Sequence, residues 1–166
     1  MLRVLTRYSL VLSLWLLVPA GAVANVLDQA EQQWQQAQAQ ADIYDRTQAY
    51  RDTLKTLEAL LQAPAASPRA YLLRAKVYMA LAQDLSELGA GAVDFWQYMA
   101  DQVDPLYNLA QQDLQRALKD ADTAVQAEAF YGLAQLCELT ESCKSEVIQA
   151  YLKQACERHF KPACKE

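Results

Sequence analysis

Residues 123–136 read TAVQAEAFYGLAQL, and this stretch decides the fold. Val125, Ala129, Leu133 and Leu136 recur at three- or four-residue spacing, which places them on one face of a helix. Thr123 with Gln126 three residues on has the form of a capping box, so the helix is expected to open there and run to about Leu139. Along the same stretch, small Ala127, Ala129 and Gly132 stand beside large Phe130 and Tyr131. Small residues let a second helix approach closely, and large ones fill the gap beside it.

The same grammar extends outward in both directions. Upstream, Asp104-Pro105 opens a helix carrying Leu106, Leu109 or Ala110, Leu114, Ala117 and Leu118. Before it lies an aromatic segment with Val93, Phe95, Trp96, Tyr98, Met99 and Val103. Ser67-Pro68 starts a helix with the stripe Tyr71, Ala75, Tyr78, Ala82 and Leu85, which Gly89 and Gly91 end. Leu27, Ala30, Trp34, Ala37 and Ala41 form a further stripe, and Tyr50, Leu54, Leu57 and Leu61 another. Asp45 with Gln48 could cap the second of these, although no Gly or Pro separates the two, and a single helix over 26–62 is the alternative. Downstream, 140–145 is a loop, and Ser145 opens a last helix bearing Ile148, Tyr151, Leu152, Ala155 and His159 that Pro162 stops. No sustained period-2 alternation and no Asn-Gly or Asp-Gly turn suggests a strand. The expected fold is all-α, about seven helices stacked as antiparallel hairpins.

Ala127 to Leu136 resembles the first helix of a tetratricopeptide or Sel-one-like repeat, whose texture is Ala-x-Ala-x-Tyr-x-Leu-small-x-Leu. Tyr151-Leu152-Lys153-Gln154-Ala155-Cys156-Glu157 is similar to the second helix of that repeat, and Pro162-Ala163-Cys164 to the opening of another. Ala127 and Ala163 lie about 36 residues apart, a suitable period for the family. The likeness is good over 105–164 and looser over 45–86. It departs at 140–145, which lacks the family's glycines, at 89–103, which looks inserted, and at 26–62, which fits no clean repeat. The resemblance implies a short α-solenoid that binds another protein or peptide on a concave face built from the first helix of each hairpin. Tyr71, Arg74 and Tyr78 are the residues it would place there.

The first 24 residues read as a secretory signal peptide. Arg3 and Arg7 precede the apolar run Ser9 to Val18; Pro19, Ala20 and Gly21 loosen the chain; Ala22-Val23-Ala24 has the small-x-small form of a cleavage site before Asn25. The run is well short of the roughly 20 residues of a membrane-spanning helix, so no membrane span is expected. The domain is then residues 25–166, in the periplasm or secreted. Those two arginines are the only charged residues in the segment, so the domain is more acidic than the whole chain's net charge of −5. Such a balance disfavours nucleic acid as a partner.

Export would expose the four cysteines to an oxidising compartment. They permit three pairings. Cys156 lies roughly ten residues into its helix, about 15 Å from the loop that Cys137 adjoins, which is beyond the reach of a relaxed bridge between those two. Cys137 with Cys143 and Cys156 with Cys164 are both local and reachable, and the second spacing is also that of the bridge in cysteine-rich secreted Sel-one-like proteins.

Nothing in the chain points to an active site, cofactor or metal. Cys-x-x-Cys is absent, and His159 is a lone His beside a helix end. Cysteine-rich members of the resembled family are linked to penicillin binding or hydrolysis, but Ser-x-x-Lys and Lys-Thr-Gly do not occur here. The leading expectation is an exported protein-interaction module acting on another protein or peptide in the cell envelope. A helical domain holding a small apolar ligand or envelope component is the alternative, and a hydrolase the remaining one. Phe95, Trp96 and Tyr98, in the segment that breaks the repeat, form a docking surface if they stay exposed.

Overall fold

A computed structural model describes residues 20–62 and 67–164. The helices are α1 (Ala20–Gln38), α2 (Ile43–Leu61), α3 (Pro68–Gly89), α4 (Phe95–Tyr98), α5 (Asp104–Ala117), α6 (Thr123–Thr140) and α7 (Ser145–Glu157). A π-helical turn, Met99–Val103, joins α4 to α5, and a 3-10 turn, Lys161–Ala163, follows α7. No strand occurs among the described residues. The apolar run of the signal-peptide reading lies outside them, while Ala20 and Gly21, expected to loosen the chain, begin α1.

Residues 26–62 form two helices. The break has no Gly or Pro because Asp42 makes it: its carboxylate accepts from the backbone N–H groups of Tyr44 and Asp45. The cap thus stands three residues before Asp45. A similar displacement occurs at α6, where Asp122 accepts from the Ala124 N–H, and Gln126 instead donates to the carbonyl of Asp120. Ser145 is the first residue of α7 rather than its cap, and α7 ends at Glu157, before Pro162.

Short connections force neighbouring helices to run antiparallel. The pairs α1–α2, α3–α5 and α6–α7 pack most closely as hairpins, and α2–α3 and α5–α6 join one hairpin to the next. The first helices of the hairpins also touch in sequence, α1 to α3 and α3 to α6. The result is a stack of three antiparallel hairpins with α1, α3 and α6 along one side.

The core lies along this stack, with Leu57, Val77, Val103 and Leu114 fully buried. Two identical ion pairs tie its layers. Arg46 at the start of α2 donates through Nε and Nη2 to both oxygens of Asp84 near the end of α3, at 2.6 and 2.9 Å. Arg74 at the start of α3 does the same to Asp113 near the end of α5, at 2.6 and 2.9 Å. Each arginine has a buried tyrosine one turn on, Tyr50 and Tyr78. Bidentate geometry of this kind sets the axial register of two helices as well as joining them.

The 89–103 segment joins α3 to α5 within the second hairpin, and it is anchored. A Cβ added at Gly89 would lie 2.2 Å from the Tyr98 ring, so the aromatic seats directly on the glycine backbone. Cys137 stands at disulfide distance from Cys143, and Cys156 from Cys164, with Cα separations of 5.2 and 4.9 Å. The described cysteines are all paired in this way. No described helix is long and apolar enough to cross a membrane.

A candidate binding groove on the first helices

Where α1, α3 and α6 line up they leave a groove of about 480 Å³. α1 contributes Trp34 and Gln38; α3 contributes Leu72, Lys76, Met79, Ala80 and Gln83; α6 contributes Glu128, Tyr131, Gly132, Gln135, Glu138 and Leu139. Leu114 reaches through from α5 to the floor, where it approaches Gly132: a Cβ there would lie 2.7 Å from Leu114 Cδ2. Glycine at 132 is therefore a close-approach residue that lets α5 pass under α6.

Phe160, from the segment after α7, completes one wall. Its ring lies 5.1 Å from that of Tyr131 in a tilted stack. The groove is mixed in chemistry. Trp34, Leu72, Met79, Tyr131 and Phe160 are apolar or aromatic, and each first helix supplies one glutamine: Gln38, Gln83 and Gln135. Two ion pairs cross between first helices on this face, Lys76 with Glu128, and Arg69 with Glu31 at 3.3 Å. Both are half in solvent, so their energetic weight is small and their effect is to fix side chains along the groove.

Tyr71, Arg74 and Tyr78 do not line this groove. The helix is the expected one, but these residues face the other way, toward the seam of α2, α3 and α5. Arg74 is committed to Asp113 and lies 5.7 Å from the ring centroids of both Tyr71 and Tyr78. Arg116 covers Tyr71 from α5 at 5.2 Å and also reaches Asp113, at 3.3 Å. Tyr78 is 5% exposed, and burial pushes its hydroxyl above the usual tyrosine value. A rotation of one residue, about 100° on a helix, separates Tyr71 and Tyr78 from Leu72 and Met79. Depth of burial does not separate the two sides: Leu72 and Met79 facing the groove are buried like Tyr78, while Tyr71 and Arg74 keep partial exposure.

The aromatic segment divides. Tyr98 is half-buried on Gly89 and Tyr107 is buried. Phe95 is half-buried, its ring 5.5 Å edge-on from Trp96, and Trp96 itself is 80% exposed. Trp96→Ala is therefore expected to change stability by no more than about 0.5 kcal/mol, as for other exposed positions. Thermal unfolding checks this, and a loss of about 3 kcal/mol or more would put the indole in the core. His159 is exposed, just past α7, with a positive φ of 66°. No group of three or more His, Cys, Asp or Glu among the described residues is placed to hold a metal ion.

Fold and groove together define a short stack of helical hairpins with a partly polar groove along its first helices. No family model, curated protein or solved structure matches the chain.

Proposed function

We propose that the protein is an exported interaction module that receives an extended segment of another envelope protein in the groove of α1, α3 and α6. The observation that carries this reading is the lining: one glutamine from each first helix, set among Trp34, Met79, Tyr131 and Phe160. A side-chain amide both donates and accepts, so it can match the backbone of an extended peptide whatever its sequence. The aromatic and aliphatic residues between would take apolar side chains, which dominate the energy of such contacts. The open, half-polar lining suits a peptide better than a small apolar ligand, for which an enclosed apolar cavity is the usual site. The resemblance to tetratricopeptide and Sel-one-like repeats supports the same use of the concave face. Two cysteine pairs at bonding distance, with the signal-peptide reading of residues 1–24, support export to the periplasm or beyond.

A photoreactive amino acid placed singly at Gln83, Gln135, Gln48 and Gln112 tests the reading in the exporting cell. Gln83 and Gln135 line the groove, while Gln48 and Gln112 are exposed elsewhere on α2 and α5. The expected result is one adduct of common mass at the two groove positions and none at the outer two. Adducts of equal yield at all four, or none in the groove, would refute it.

A further inference from the structure

We infer that the Cys156–Cys164 bridge is a redox latch on the groove: closed, it holds Phe160 as a wall; opened by thiol–disulfide exchange, it releases that wall and weakens binding. This rests on the groove being the binding site.

Phe160 sits in the middle of the loop that the bridge closes. Among the described residues beyond α7, Phe160 alone lines the groove. Other attachments of the segment to α6 are modest. Arg158 Nε donates to Gln126 Oε1 at 3.2 Å, and its guanidinium lies 4.8 Å from the Phe130 ring centroid. α7 itself packs along α6 through buried Ala155 and half-buried Tyr151, so opening is confined to the segment that follows it. His159 holds a left-handed backbone conformation that is unfavourable for a residue with a Cβ. The helix-end bonds from the His159 N–H to the Cys156 carbonyl and from the Phe160 N–H to the Ala155 carbonyl hold that conformation, and the covalent closure, three residues before it and five after it, adds to them; Phe160 follows directly. Without the closure, a left-handed residue with a Cβ and few side-chain attachments lower the cost of opening the segment locally.

Access separates the two bridges. Cys164 is exposed, whereas the other bridge joins Cys137, buried at 7%, to the half-buried Cys143. A thiolate of a dithiol reductant attacks Cys164 Sγ; the Sγ–Sγ bond breaks and Cys156 leaves as a thiolate that takes up a proton. The second thiolate of the reductant then attacks its own sulfur in the mixed disulfide and releases Cys164, which is protonated in turn. Two electrons and two protons pass from the dithiol, which becomes a disulfide, to the two cysteines. The co-reactant is thus a thioredoxin-like dithiol or a small-molecule dithiol, and the latch resets by the reverse exchange with a disulfide, which takes up the two electrons and two protons and becomes a dithiol.

The test uses the full mature chain in the Cys137→Ser/Cys143→Ser background, where one bridge remains. Dithiothreitol opens it and an oxidant closes it again, and Cys156→Ser/Cys164→Ser gives a permanently open form. Two readouts are taken: the nuclear Overhauser contact between the Tyr131 and Phe160 rings with amide exchange over 157–164, and crosslinking yield from a photoreactive residue at Gln135. Opening is expected to abolish the ring contact, raise exchange over 157–164 by at least about tenfold, and lower the crosslink to the level of Phe160→Ala. Reoxidation should restore all three. A ring contact that survives opening overturns the latch, as does an unchanged crosslink once the contact is lost. Absence of any crosslink in the closed form overturns the groove reading instead, and the ring contact still reports on the latch. Circular dichroism on the reduced chain separates loss of the wall from loss of the fold.

Discussion

Asp113→Ala is expected to cost about 3–5 kcal/mol, the largest effect of any single polar substitution in this protein. The Asp113 side chain is 1% exposed and receives both a bidentate Arg74 and a contact from Arg116. Removing it leaves the Arg74 guanidinium, 14% exposed, between α3 and α5 with no paired carboxylate, only the field of Glu58. An unpaired buried charge costs far more than the intact pair contributes, because the desolvation penalty remains and the compensation is gone. Replacing both partners by apolar residues, as in Arg74→Met with Asp113→Leu, should therefore recover most of the loss. Urea unfolding of the two single variants and the double variant gives the coupling directly. A loss below about 1 kcal/mol for Asp113→Ala would mean that water already reaches the pair. The equivalent change at Asp84 should cost less, since that pair lies closer to solvent, with side-chain exposures of 23% for Arg46 and 12% for Asp84.

Leu114→Ala should cost about 2–5 kcal/mol, the range for a buried leucine whose cavity cannot collapse. Leu114 is 1% exposed and stands between the floor of the groove and Gly132. The cavity would open beneath the groove, where two rigid helices hold it apart. Because a methyl at 132 would lie 2.7 Å from Leu114 Cδ2, Gly132→Ala is expected to be unfavourable alone and favourable once Leu114 is alanine. The double variant should thus be more stable than Leu114→Ala by about 1 kcal/mol, from filled volume and from the helix propensity of alanine. Simple additivity of the two changes in a chemical-denaturation cycle would show that α5 and α6 do not meet as closely as described.

Much of the helical framework was legible in the chain because its signals are local. Periodic apolar residues, Pro68 and Pro105 at helix starts, and Gly89 at a helix end act within a turn or two of themselves. Local too are the bridges, with separations of six and eight residues, so helix rise alone was enough to favour them. Caps were legible only in kind: three or four neighbouring polar residues can each reach the same free N–H groups. Asp42 and Asp122 take those positions in preference to Asp45 and Thr123.

The site was less legible, and α3 shows why. Its buried residues surround most of its circumference, since α2, α5, α1 and α6 all pack against it. A stripe on such a helix does not say which side is concave, so Tyr71, Arg74 and Tyr78 stood out although they turn toward the α2–α5 seam. Phe160 carried no signal at all, for its role depends on a loop closure that brings it back over Tyr131. Nor did the ion pairs, whose partners are 38 and 39 residues apart. By itself the sequence determined the all-helical class, the helix starts at Pro68 and Pro105 and the local pairing of cysteines, because those depend on forces that act over one or two turns; it did not determine whether 26–62 is one helix or two. Only the tertiary structure decided which residues share the groove, which arginines are spent on buried carboxylates and which aromatics stay in water, because each is set by the rotation and register of helices distant in the chain.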